Sequence, residues 1–459
     1  MSFYIYDITF LVLFGTFLSI FLYRNRKNLE REGLMLLYKT KLGIKLINYL
    51  SKKHKKFLKK FEWVLIISGY ILMAGGVFLF VRAVYLFTRP EFVQAFKIPP
   101  IMPLIPYVPE LFKVDFLPPL YFTYFIVILA VAAIPHEFFH GLFAKVRDVK
   151  LESTGFAFLG PFAGAFVEPD EEKVEKMGPR EKIPFLSAGT FANILTTIFF
   201  LLVLWLFAVS AYSPNGVIIG SYAQGVLPTG NITRGNETIT IQMDGGLNLS
   251  SVAYNGDKYY VQDFNESEEY ILAFQDAPAI KSGMRGVIVK LGDREVKEYK
   301  DMRKALSIYK PGQNITVETN VEGEKESYEI ELGERPDNES RAYLGISPFE
   351  RGGFGGLKTM RDQLLFFRNP YTYYKPRFGG ELTIFIFNLL WWVVIASFGV
   401  ALVNMLPLGI FDGGRVFYST VEWITGSKKV AQKAYSIVTY AIIGIVLILM
   451  YLWIVGIVN

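Results

Sequence analysis

Six stretches of this 459-residue chain, near 5–23, 63–87, 119–145, 185–212, 381–408 and 433–456, are apolar over about the 20 residues that a helix needs to cross a bilayer. That feature removes most of fold space. In lipid, backbone N–H and C=O groups must be satisfied inside the spanning element, so stretches of this length predict helices. At 52% hydrophobic and 16% aromatic residues, the chain is too apolar for a soluble protein of its size. The first stretch is expected to be a retained helix and not a leader: Asp7 precedes its apolar core, no basic segment leads it, and no small-x-small pattern follows.

Charge supplies an orientation. Between residues 24 and 60 stand thirteen lysines and arginines against Glu30 and Glu32, which predicts a cytoplasmic loop. Parity then puts both termini and the segment 213–380 outside. Six N-x-S/T sequons, at Asn231, Asn236, Asn248, Asn265, Asn314 and Asn338, fall only in that segment and agree. Arg361, Arg368, Lys375 and Arg377 oppose the rule, but long translocated segments obey it weakly. The net charge of +6 therefore reports topology and calls for no nucleic-acid partner.

Only three histidines occur, and two stand in His136-Glu137-Phe138-Phe139-His140, inside the third apolar stretch. At i and i+4 on a helix both imidazoles share a face and can share a metal, with the intervening glutamate in reach of its water. No cysteine is present, so any ligands are imidazole and carboxylate. If the span ends near Lys145, His136 lies about 13 Å from the inner end at 1.5 Å per residue. Ionisable groups at such depth mark function. Pro135 is expected to bend the helix locally. A zinc site open to water needs a third ligand, and Asp412 in Phe411-Asp412-Gly413-Gly414 is the candidate, placed at the inner end of the fifth span after Pro407 breaks it. The glycine pair would let the backbone turn tightly beside the metal. Taken alone, the same Asp-Gly-Gly is also ordinary cap chemistry.

The HEFFH motif together with Asn404-x-x-Pro407 and Phe411-Asp412-Gly413-Gly414 resembles the site-2 protease family of intramembrane zinc metalloproteases, over about 119–212 and 381–425. The resemblance implies Zn²⁺ held by His136, His140 and Asp412, with Glu137 activating water. Ser187-Ala188-Gly189-Thr190-Phe191-Ala192-Asn193 is similar to the family's Ala-Gly-Pro-x-x-Asn element, with Thr190 where proline is usual. Ala188 and Gly189 are read as helix-packing residues. Asn193 and Asn404 are candidates for substrate or oxyanion binding, with a structural bond to the broken helix equally open for Asn404. Arg415 stands where many members have histidine.

Gly155 to Glu168 is apolar, glycine-rich and too interrupted for a helix. It is expected to be a short membrane-associated β-hairpin or re-entrant loop near the metal, whose edge could pair with an unwound substrate, or else a loop resting on the membrane surface. Asp276 to Leu332 looks like a PDZ domain, of span about 222–348 with a β-rich insertion near 231–270. The expected fold class is a polytopic α-helical membrane protein with about six transmembrane helices, that hairpin, and an extracytoplasmic PDZ-like α+β domain. Four regions follow: 1–118, with the basic loop and a Pro-rich outer loop; 119–212, the first part of the core; 213–380, the PDZ-like domain and linker, including an amphipathic helix at Phe354–Phe367; and 381–459, the second part of the core. The expected function is hydrolysis of peptide bonds in or near the transmembrane segments of substrate proteins, in regulated intramembrane proteolysis. A non-catalytic PDZ-bearing scaffold and an ion-coupled transporter are the alternatives. Neither needs Glu137 as a base, and no inverted repeat supports the transporter. The oligomeric state is not readable.

Overall fold

The computed structural model describes residues 3–89, 93, 99–100, 104–112, 114, 117–159, 162–241, 247–262, 269–321, 323–335, 338–347 and 371–458. The chain divides into two compact units, one comprising Met1–Asp115, Pro119–Leu206 and Phe385–Asn459, the other Phe116–Pro118 and Phe207–Ile384.

In chain order the first part holds α1 (Phe3–Arg24), β1 (Leu29–Glu32), β2 (Met35–Thr40), α2 (Ile44–Lys53), α3 (Lys55–Phe87), α4 (Phe122–Val146), β3 (Leu151–Leu159), β4 (Phe162–Pro169), α5 (Glu171–Lys176) and α6 (Pro179–Ala211). After the second unit come α8 (Gly380–Asn404), α9 (Asp412–Thr425) and α10 (Lys428–Val458), with α7 (Tyr299–Leu306) lying between. Among the described residues six helices are long and apolar enough to cross a membrane: α1, α3, α4, α6, α8 and α10. The protein is thus a polytopic helical membrane protein that also carries β-sheets.

Small residues set the helix packing. A Cβ on Gly69 of α3 would lie 2.3 Å from Ser187 Oγ of α6, and one on Gly76 would lie 3.0 Å from the Leu402 carbonyl of α8, so α3 approaches both backbones closely. Tyr70 of α3 also hydrogen-bonds Thr420 of α9 at 2.8 Å. Polar groups are used as fasteners at the helix ends. Asp7 of α1 is buried and accepts from the N–H groups of Phe122 and Thr123, both at 2.8 Å, from Thr123 Oγ1 at 2.6 Å and from the Tyr107 hydroxyl at 2.5 Å. The start of α4 is thereby capped by a side chain from another helix, since its own N-cap, Tyr121, offers none. At the opposite end Arg147 holds Glu62 of α3 through two bonds, Nε at 2.9 Å and Nη2 at 2.5 Å, and Glu181 of α6 at 2.6 Å.

The segment from Gly155 to Glu168 forms a β-hairpin, β3 and β4, rather than a re-entrant loop, and Pro135 lies inside an unbroken α4. The hairpin belongs to a larger sheet. β1 and β2, from the basic segment expected to be a loop, pair with it in the order β1-β2-β3-β4, all antiparallel, with Tyr38 opposite Phe156. Gly155 permits this approach, because a Cβ there would lie 2.1 Å from the Tyr38 carbonyl.

The second unit is rich in strands: β5 (Tyr212–Ile218), β6 (Gln224–Pro228), β7 (Ile232–Ile241), β8 (Leu247–Tyr254), β9 (Asp257–Val261), β10 (Tyr270–Gln275), β11 (Val287–Leu291), β12 (Asn314–Val321), β13 (Glu324–Glu331) and β14 (Thr372–Pro376). One sheet runs β6-β10-β9-β8-β7, and a six-stranded sheet runs β13-β12-β11-β5-β14 with Arg294–Glu295 paired to β11. The larger sheet reaches past the expected 222–348 at both ends, through β5 and β14. Its core gathers Val217, Ile288, Leu291, Val317 and Ile330 around Met302 and Ala305 of α7. β5 follows α6 directly, and β14 precedes α8 by three residues. The two strands pair antiparallel, and the Arg377 N–H donates to the Ala211 carbonyl at 2.9 Å. The Phe354–Phe367 segment and the sequon Asn265 lie outside the described residues.

Candidate metal centre

α4 presents His136 and His140 on one face, one turn apart. The chain then brings in Asp412 from 272 positions beyond His140. α8 stops at Asn404, and Met405 to Phe411 form an irregular link whose bonds include Leu408 N–H to the Leu406 carbonyl at 2.7 Å. Asp412 is therefore not at the end of the fifth span, as expected, but opens the following helix α9 with Phe411 at its N-cap. A carboxylate is electrostatically favoured in a first turn. Gly413 and Gly414 serve close approach rather than a turn. Both are helical, and a Cβ would lie 2.3 Å from the Met405 carbonyl or 2.2 Å from that of Leu408.

The three ligand atoms form a compact triangle. His136 Nε2 and His140 Nε2 are 3.1 Å apart, and each is 3.3 Å from Asp412 Oδ2. A tetrahedral zinc with bonds of roughly 2.0–2.1 Å separates its ligand atoms by about 3.3 Å, so the spacing fits such an ion. Proton bookkeeping points the same way. His140 Nδ1 stands 3.0 Å from the Phe185 carbonyl, which can only accept, so the proton sits on Nδ1 and Nε2 is the bare nitrogen. The His136 Nδ1 lies 3.2 Å from the amide of fully buried Asn193, whose Oδ1 has no partner among the described residues. A half-turn of that amide lets Oδ1 accept from Nδ1–H, which satisfies the orphan and again bares Nε2.

α6 thus orients both imidazoles, and it also leaves room beside them. A Cβ at Gly189 would sit 2.4 Å from His140 Nε2 and 2.6 Å from His136 Nε2, crowding the two atoms that could hold an ion. Gly189 is therefore more than the packing residue expected. Asn193 likewise faces the His136 ring. Phe185 contributes through its carbonyl, for which no side-chain signal exists. Asn404 is half-buried at the end of α8.

Glu137 lies next to His136, and its Oε2 accepts from the Val167 N–H of β4 at 3.0 Å. The sheet edge and the HEFFH helix therefore meet at the candidate base. A polar ladder crosses the strands beside this point. Lys39 Nζ binds Glu30 at 2.8 Å and Glu168 at 2.9 Å, and Ser153 donates to the other oxygen of Glu168. Its bonds to Glu168 and Glu30 hold the Lys39 ammonium well above its ordinary pKa. Burial would raise Glu168, but Lys39 and Ser153 outweigh it and bring that carboxyl below its usual value.

Two proteins of Streptococcus pneumoniae, from strains R6 and TIGR4, are similar to part of the chain, and each carries the name "Putative zinc metalloprotease". The first is 24% identical over 183 residues, and the second 23% over 184. Each match covers 36% of this chain and 43% of the relative, so the chain spans under half the length of the relatives it matches. The model of peptidase family M50 matches residues 124–450, which includes the HEFFH helix, the strand β4 beside it and Asp412. That match runs over well more than half of the sequence, and the chain belongs to peptidase family M50.

Proposed function

We propose that the protein is a zinc metalloprotease that hydrolyses peptide bonds in or near transmembrane segments of other proteins. The observation that carries the reading is the 3.1–3.3 Å triangle of His136, His140 and Asp412 on helices of a membrane protein, with Glu137 beside it. Zinc held there by His136, His140 and Asp412 would supply Lewis acidity toward the hydrolytic water and the scissile carbonyl. Glu137 takes a proton from that water as its oxygen bonds to the carbonyl carbon, and returns the proton to the leaving amine as the C–N bond breaks. Phe185 and Asn193 keep the imidazoles aimed, and Gly189 keeps the approach open.

A helical substrate must unwind before its carbonyl can be reached. β4 ends its sheet, so an extended substrate segment could pair with its free edge next to the site. We take the natural substrates to be single-span proteins already shortened on their outer side, whose second cut releases a cytoplasmic fragment in regulated intramembrane proteolysis. The site then lies nearer the cytoplasm, with both termini and the second unit outside. That unit, PDZ-like in its sequence from Asp276 to Leu332, would act as a size filter against large ectodomains. The test is cleavage of a panel of single-span substrates by purified protein in liposomes, comparing wild type with Glu137→Gln at equal zinc content. Metal-dependent cleavage lost in the variant is expected. Equal cleavage by both would overturn Glu137 as the base.

A further inference from the structure

Among the described residues β4 pairs only with β3, so its other side carries backbone groups without a strand partner there. Thr154 stands opposite Val167 in the β3–β4 register, and the Val167 N–H points away from β3 to Glu137 Oε2 at 3.0 Å. Successive residues alternate in direction, so the N–H of Ala165 is the next to face the same way. Val167 is fixed from two sides. Its side chain packs on α4, where a Cβ at Gly141 would come within 3.2 Å of Val167 Cγ1. The adjoining Glu168 is tied to Lys39 at 2.9 Å and to Ser153. A backbone donor anchored this way has little freedom, and a bond from N–H to a carboxylate is stronger and more directional than a neutral one.

We propose that the Val167 N–H is a positioning group for hydrolysis: it fixes one carboxylate oxygen of Glu137 and leaves the other for the water. The strand that would receive the substrate thus also aims the base, and the two act in one register. The Ala165 N–H remains for the substrate. The inference rests on Glu137 acting as the base.

Two substitutions separate the donor from the side chain. Val167→Pro deletes the N–H, and proline is tolerated on a strand edge where no ladder bond is lost. Val167→Ala keeps the N–H and loses only packing. Expected for Val167→Pro is a fall in kcat of about tenfold or more, with KM and bound zinc retained, against about twofold to threefold for Val167→Ala. Equal losses in the two variants, or an unchanged kcat in Val167→Pro, would overturn the proposal while wild-type cleavage upholds the hydrolytic reading. A wild type that cleaves nothing would overturn both. A second measurement needs no turnover and does not depend on the proline variant folding: amide exchange of Val167 in ¹⁵N-valine-labelled full-length protein. The amide should exchange at least about tenfold faster in Glu137→Ala than in wild type, since an edge N–H is protected only by its acceptor. The same rate in both proteins would show that the contact does not hold, and would sink the proposal independently of cleavage.

Discussion

β4 and β5 would each end a sheet, and the chain covers them differently. β5 receives a whole strand, β14, with Thr372 opposite Val217 and Pro376 opposite Tyr212. β4 receives one carboxylate, that of Glu137, on one N–H. A covering strand satisfies a row of backbone groups and closes the edge to newcomers. A side chain satisfies a single donor and leaves the rest of the edge available. The side chains follow the same division. In the second unit Lys290 of β11 pairs across the sheet with Glu318 of β12 at 3.0 Å, and Arg285, just before β11, reaches Glu326 of β13 at 2.7 Å. Beside the HEFFH helix, Glu30, Lys39, Glu168 and Ser153 form one connected ladder. One sheet is built to be finished, the other to present an edge.

Breaking the chemistry at the β4 side should have the largest effect. Glu137→Gln should lower cleavage by about 10²–10⁴-fold with zinc still bound, measured as initial rates at matched metal content. Asn193→Ala should act through the metal, weakening its affinity by about 10–100-fold in a competition titration with a chelating dye, because the His136 ring loses its orienting partner. Lys39→Met should cut the ladder at its centre and destabilise the protein by about 0.2–1 kcal/mol in denaturant unfolding, as part-exposed pairs do. Lys290→Met in the larger sheet, which breaks a single pair, should destabilise less than Lys39→Met and leave cleavage unchanged. An effect there as large as that of Lys39→Met would remove the contrast between the two sheets.

Much of this was legible in the sequence where the signal is local. The apolar stretches near 5–23 and 119–145 correspond to α1 and α4 within three residues, because length and hydropathy are contiguous properties. The i, i+4 spacing of His136 and His140 states their shared face outright, and the glycines and aromatics of Gly155 to Glu168 excluded a helix while leaving hairpin and loop both open. What stayed hidden depends on distant partners. β1 and β2 sit among lysines and arginines that report topology, and β2 finds its partner β3 more than a hundred residues later. Gly189 looks like any packing glycine until α6 is laid against the histidines. The Phe185 carbonyl and the Val167 N–H belong to the backbone, so residue identity carries no trace of their roles. The stop at Asn404 was half visible in Pro407, but the new helix beginning at Asp412 was not, since Asp-Gly-Gly suits a turn as well as a first helical turn.

The bond between Ala211 and Arg377 has an architectural consequence. The segment between them leaves and returns at a single point, as an inserted module does, so its removal would require only a short turn joining α6 to α8. Such a seam allows the strand-rich module to be enlarged, exchanged or lost while each membrane helix keeps its length. It makes the module the part of this protein that can change with the least disturbance to the helices that carry His136, His140 and Asp412.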